Sequence, residues 1–342
     1  MGQHQKGQSQ FVKDDFFKID VECHLYPSIK HISYFPGMRA SNRGIDGIYR
    51  VAGIDLEEVA RLIPEGGWGG ESNPETLIAL MDKYGIDMAC PIREDVRQAT
   101  GFSAPFSTNG YVAEACEKYS DRFIFQANVC PIVQRGVKNA IWELEYLVKE
   151  RNCKLVKYIG TGDVAIDDPQ LWPFYEKVSE LGIPVCIHTG GSWLPPGRGK
   201  NCLPIQIDAV ANDFPEMKII AFHAGWPHNH ELNLIAAGHV NVSISLGLLL
   251  PWCVTAPRRA AKIIGEAIQF ASVDRVIWGT DYFGPGAEPL MKLSVEGFRD
   301  FQIPEDLQKG YGFKPLMESD KRKIFGENLA RILGITPKKK IK

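Results

Sequence analysis

Eight short β-branched runs, each followed by a helical pattern, restrict this chain to very few architectures. The first is KIDVECHLYPS (18–28). It is followed by DMACPI (87–92), FIFQANV (123–129), KLVKYIG (154–160), PVCIHTG (184–190), KIIAFHAG (218–225), NVSISLG (241–247) and RVIWGTD (275–281). Strands that alternate with helices pair in parallel and need cover on both faces, and a closed barrel buries all eight without leaving an edge. The expected fold is therefore α/β, a TIM (β/α)8 barrel in one domain. A doubly wound open sheet is the alternative, but no Gly-rich phosphate loop follows the first strand.

The intervening segments read as helices. In GVKNAIWELEYLVKER, Val137, Ile141, Leu144 and Val148 recur at helical spacing. DPQLWPFYEKVSELG begins with Asp168 as N-cap, carries Pro169 in the first turn and ends at Gly182. Ile324, Phe325, Leu329 and Ile332 mark a last helix. The expected organisation is an N-terminal tail (1–17), a barrel (18–335) and a basic tail (336–342). Two connections, 25–73 with its GGWGG (66–70) and 282–319, are expected as long loops over the face where such barrels keep their active sites.

Bulk properties narrow the function classes. The 342 residues are 44% apolar and 23% charged, as in a soluble globular protein. A formal net charge of -2 gives no field that favours nucleic acid or an anionic membrane, and PKKKIK is expected as a solvated end. The apolar stretch 243–254 falls short of the roughly 20 residues a bilayer span needs. MGQHQKGQSQ has no apolar core for a secretory signal, and Lys6 breaks the myristoylation pattern. Eight single cysteines without a C-x-x-C pair suit reduced, buried thiols in a cytoplasmic enzyme.

The unusual polar residues fall where strands end. Glu22 and His24 close the first run, two apart and so on one face; His188 closes the fifth, His223 the sixth and Asp281 the eighth. Parallel strands of a barrel open on one face, so these five groups converge in one mouth. Carboxylates and imidazoles there suit zinc, manganese or iron better than calcium. Weaker signals lie nearby. Arg93 follows the second strand, and Arg198 sits beside Trp193 in SWLPPGRGK, where a guanidinium could clamp a substrate carboxylate. Lys157 ends the fourth strand. PHNHE (227–231) is expected to start a helix rather than to supply ligands.

Over residues 18 to about 335 the chain resembles the amidohydrolase superfamily. Within it, the likeness is to the branch of aminocarboxymuconate-semialdehyde decarboxylase and the hydroxybenzoate decarboxylases. DVECH, PVCIHTG, IIAFHAGWP, VIWGTDYFGP and IFGENLARILG carry the likeness. The resemblance implies that Glu22, His24, His188 and Asp281 hold one divalent ion, Zn2+ or Mn2+, with His223 beside it as a catalytic group and Asp281 as proton donor. The superfamily's commoner first motif is His-x-His; Glu22 at its first position resembles the hydroxybenzoate decarboxylases. Superfamily hydrolases with two metals bridge them through a carboxylated lysine of the fourth strand, but Lys157, without His-x-His, is expected to be structural or substrate-facing.

The implied function is non-oxidative decarboxylation of a small aromatic or conjugated carboxylic acid, ortho-hydroxybenzoate-like. Hydrolysis or hydration of a lactone, amide or C–C bond in a ring-degradation intermediate is the alternative, and a catalytically silent binding module a third reading. The expected partner is the small carboxylic acid alone, with no nucleic acid and no membrane, in a homodimer or homotetramer.

Overall fold

The computed structural model describes residues 14–27, 46–57, 59, 72–93, 107–192 and 197–339. All eight expected strands are present, as β1 Ile19–Leu25, β2 Met88–Arg93, β3 Gln126–Asn128, β4 Leu155–Tyr158, β5 Val185–Ile187, β6 Ile219–Ala221, β7 Val242–Ser245 and β8 Val276–Ile277. Every pairing is parallel and between sequence neighbours, β1 with β2 and then β3 through β8. Two parallel bridges close the ring. Ala89–Phe123 joins β2 to the approach of β3, and Cys23–Tyr282 joins β1 to the segment after β8. The result is the α/β barrel expected from the sequence.

Apolar residues fill the barrel interior, among them Ile19, Val21, Ile92, Leu155, Ile220 and Ile277. A second apolar layer lies between strands and helices, with Leu144, Phe174, Tyr175 and Ile263 in it. All eight cysteines are free and buried, as expected of small apolar residues.

Helix α1 runs Val137–Glu150 and buries Ala140, Leu144 and Leu147; Val137, Ile141 and Val148 pack at its margin. Asp168 accepts from the Gln170 N–H at 3.0 Å and opens a 3-10 turn, Pro169–Leu171, that runs into α2, Trp172–Leu181. Gly182 ends α2 with φ 67, in the left-handed region that glycine adopts without strain. PHNHE starts a helix, α3 Asn229–Gly238.

Most of the connection 25–73, with its GGWGG, lies outside the described residues. The connection 282–319 is less of a loop than its length suggests, because it contains α4 Glu288–Asp300 and α5 Glu305–Tyr311. Leu290, Met291, Val295 and Phe298 supply α4's buried stripe at helical spacing. The last helix is interrupted by a π turn, Lys323–Glu327, which keeps Ile324 and Phe325 buried. Among the described residues no helix is long and apolar enough to cross a membrane.

The end of β5 depends on one glycine. Gly190 has φ 97, and a Cβ there would overlap the Trp226 carbonyl oxygen after β6. Gly182 has a similar φ of 67 but open space around it. Gly182→Ala should therefore cost about 1–2 kcal/mol of unfolding free energy, the left-handed penalty alone. Gly190→Ala should cost clearly more, about 3 kcal/mol or above. Urea midpoints of the two variants measure the difference.

Candidate metal centre at the barrel mouth

Closure of the ring places the first strand against the last. The Asp281 N–H donates to the Glu22 carbonyl at 3.0 Å, and the His24 N–H to the Tyr282 carbonyl at 2.7 Å. Glu22 and His24 from β1 thereby meet Asp281. One ligand atom from each of the three lies within 4.8 Å of the others, and this is the one such group among the described residues. His24 Nε2 stands 3.3 Å from Asp281 Oδ1. Asp281 has φ 55, and His223 and Ala224, in the turn that follows β6, have φ 61 and 45. Left-handed backbone at non-glycine residues costs about 1–3 kcal/mol each and concentrates where side chains must be aimed.

Glu22 is fully buried. Its Oε1 pairs with Lys157 Nζ from β4, and His223 Nε2 lies 3.7 Å away. The Lys157 ammonium also lies 5.2 Å from the centre of the Phe222 ring. Its carbon stem is buried, so Lys157 is a fixed cation inside the barrel rather than a solvated one.

His188 stands one imidazole behind the triad. Its Nδ1 is 3.1 Å from His223 Nε2, and its Nε2 is 2.9 Å from the Gly191 carbonyl. His223 Nδ1 lies 3.3 Å from the Gly247 carbonyl. Burial drives the imidazole pKa of His223 down to about 4 and that of His188 well below the usual range, so both rings are neutral at pH 7. Two neutral rings bring two protons to three contacts, and carbonyl oxygens only accept. The two shorter contacts take them: His188 Nε2–H donates to Gly191, and His223 Nε2–H donates to His188 Nδ1. His188 can join the ligand set through Nδ1, which carries its lone pair, only when that nitrogen is freed from the His223 N–H; its Nε2–H can stay on the Gly191 carbonyl.

Burial, with the Glu22 charge beside it, pushes the Asp281 carboxyl above the usual carboxylate range, while the His24 hydrogen bond pulls the other way. The residues fit a divalent ion. Glu22 Oε2 is buried with no hydrogen-bond partner, and a Cβ at Gly247 would stand 3.3 Å from it, so the glycine keeps that side open. Two carboxylates and imidazoles are donors for zinc or manganese.

Of the other expected site residues, Arg93 and Arg198 are among those described. Arg93 is buried and donates to the carbonyls of Asn128 and Cys130, each at 2.6 Å, which makes it a strut between β2 and β3. Arg198 is exposed, and its N–H donates to the Thr161 carbonyl at 2.9 Å. Trp193 lies outside the described residues. The sequence reading passed over Asp20, a buried carboxylate that bonds β1 to the Thr280 hydroxyl and N–H.

A family model described as Amidohydrolase matches residues 19–335. The chain belongs to the amidohydrolase family. Among solved structures similar to this amidohydrolase is 5-carboxyvanillate decarboxylase from Sphingomonas paucimobilis. The TM-score is 0.59 at 18% identity, over 94% of this chain and 100% of that one. A dihydroxybenzoic acid decarboxylase from Polaromonas, solved with manganese and the inhibitor 2-nitroresorcinol, gives 0.59 at 17% identity over 93% and 97%. At these identities the likeness concerns the fold. A curated relative, 2-keto-4-carboxy-3-hexenedioate hydratase from Sphingobium, is 29% identical over 136 residues, 34% of this chain and 39% of that protein. Another curated relative is matched over 14% of its length.

The Glu22–Lys157 pair sets a stability prediction. Lys157→Met leaves Glu22 a buried charge without its partner, and should lower the stability of the metal-free protein by about 3–5 kcal/mol. Manganese should restore part of the loss, with metal content unchanged from wild type. Urea midpoints with and without manganese, together with metal analysis, test this.

Proposed function

We propose that this amidohydrolase is a metal-dependent, non-oxidative decarboxylase of a small aromatic carboxylic acid bearing a hydroxyl beside its carboxylate. The observation that carries the reading is Asp281, a half-buried carboxyl held above its usual range within reach of His24 and Glu22. Removing carbon dioxide leaves a carbanion unless the ring carbon is protonated first, and that proton needs an acid inside a dry site. In this reading Glu22, His24 and Asp281 hold the ion, joined by His188 once its Nδ1 is freed from the His223 N–H. Bound there, a divalent ion supplies Lewis acidity and a template for the substrate carboxylate and its neighbouring oxygen.

The protein's own groups do the rest. The Asp281 carboxyl gives its proton to the ring carbon that bears the carboxylate. The C–C bond then breaks, its electron pair restores the aromatic ring, and carbon dioxide leaves. Water returns the proton to Asp281. His223 is neutral and packed edge-on against His188, with ring centroids 4.7 Å apart, so it orients the departing carboxyl group rather than carrying charge. Lys157 holds Glu22 Oε1, so its charge compensates Glu22 rather than Asp281.

A second reading is a hydratase, supported by the hydratase among the curated relatives. There Asp281 or His223 would take a proton from water as it adds to a double bond. One experiment separates the two. Manganese-loaded protein incubated with ortho-hydroxybenzoates should release carbon dioxide. Asp281→Asn that retains its metal should lose about 100- to 10,000-fold in rate, the range for a general acid. Water addition to an unsaturated acid without carbon dioxide favours the hydratase, and full activity of Asp281→Asn removes it as the proton donor.

A further inference from the structure

The seam between the first and last strands lacks a regular ladder, although all of the triad sits on it. Its β partners reduce to one bridge, Cys23–Tyr282. Within β1 the pairing with β2 shifts register between Asp20 and Cys23, where Pro91 of β2 brings no N–H. The Asp20 side chain works at this point. Its Oδ1 accepts from the Glu22 N–H at 3.1 Å and from the Thr280 N–H at 2.9 Å, and its Oδ2 accepts from the Thr280 hydroxyl. The same hydroxyl oxygen accepts from the Tyr282 N–H at 3.1 Å. Asp20 is 1% exposed and Thr280 0%, so water does not compete for these bonds.

From these contacts we infer that Asp20, with Thr280, is a positioning residue for the metal ligands. One carboxylate holds the backbone of Glu22 on β1 and the residue before Asp281 on the β8 side. It therefore fixes the spacing of two ligands that are far apart in sequence. The chain is shaped for this close approach: a Cβ at Gly279 would stand 3.0 Å from Val21 Cγ1 and 3.5 Å from Asp20 Oδ1. Asp281 then enters its left-handed turn between two anchored neighbours, Thr280 on Asp20 and Tyr282 on Thr280. Without the clamp, Glu22 and Asp281 remain in the site but lose their shared reference. Groups that orient ligands in this way typically carry about 10- to 100-fold in metal affinity.

The inference rests on the metal reading above, and its test separates the two. Manganese affinity is measured by titration calorimetry on metal-free wild type, Asp20→Asn, Thr280→Val, Thr280→Ser and the double variant Asp20→Asn/Thr280→Val. Asp20→Asn and Thr280→Val should each bind manganese about 10- to 100-fold more weakly while keeping the circular dichroism of the wild type. Thr280→Ser, which restores the hydroxyl, should bind as the wild type does. The double variant should be no weaker than the weaker single one, because the two residues act as one unit. If Asp20→Asn does not fold, the Thr280 valine and serine variants decide. A purely structural clamp lowers melting temperature but leaves affinity alone, so wild-type affinity in Thr280→Val overturns the inference, as does serine binding as weakly as valine. A wild type that binds no manganese overturns the metal reading and the inference with it.

Discussion

The whole site hangs on the closure of the barrel between its first and last strands. Glu22 and Asp281 are more than two hundred residues apart, yet the Asp281 N–H donates to the Glu22 carbonyl at 3.0 Å. A ligand pair at that separation in sequence exists only when the ring closes in one register. An open sheet with the same strands would place the first and last strands at its two edges. The eight-strand closure is thus both the solution to the edge problem and the device that assembles the triad.

Charge then determines what the closed mouth can do. Glu22, buried, and Asp281, half-buried, are two carboxyl groups in one site, and Lys157 compensates the first directly. The second is pushed towards its protonated form by burial and by Glu22. One carboxyl paired with a lysine and one pushed towards its protonated form make the asymmetry that acid catalysis needs. The neutral imidazole pair His188–His223 adds hydrogen-bonding capacity without adding charge. A second cation beside Lys157 would work against this balance, in keeping with one ion rather than two.

Strand order and strand ends were legible in the sequence because β-branched runs and helical spacing are local signals. Five polar residues at four strand ends also pointed to one mouth, where three of them, Glu22, His24 and Asp281, come together. Orientation was not legible. Arg93 at a strand end could face substrate or backbone, and only packing turns it onto the carbonyls of Asn128 and Cys130. His188 likewise closes the expected strand, yet its ring is taken by Gly191 and His223, contacts set by loop geometry. Length alone misled at 282–319, where the buried stripe of Leu290, Val295 and Phe298 makes a helix out of an expected loop. Asp20 was overlooked because a carboxylate in an apolar run shows its purpose only once Thr280 is beside it.

Crystals soaked in manganese and measured for anomalous scattering test the central claim most directly. The account predicts one anomalous peak per chain, within bonding distance of Glu22, His24 and Asp281, with His188 Nδ1 released from His223 to meet it. No peak among these residues would contradict the account, and so would a second peak bridged through Lys157.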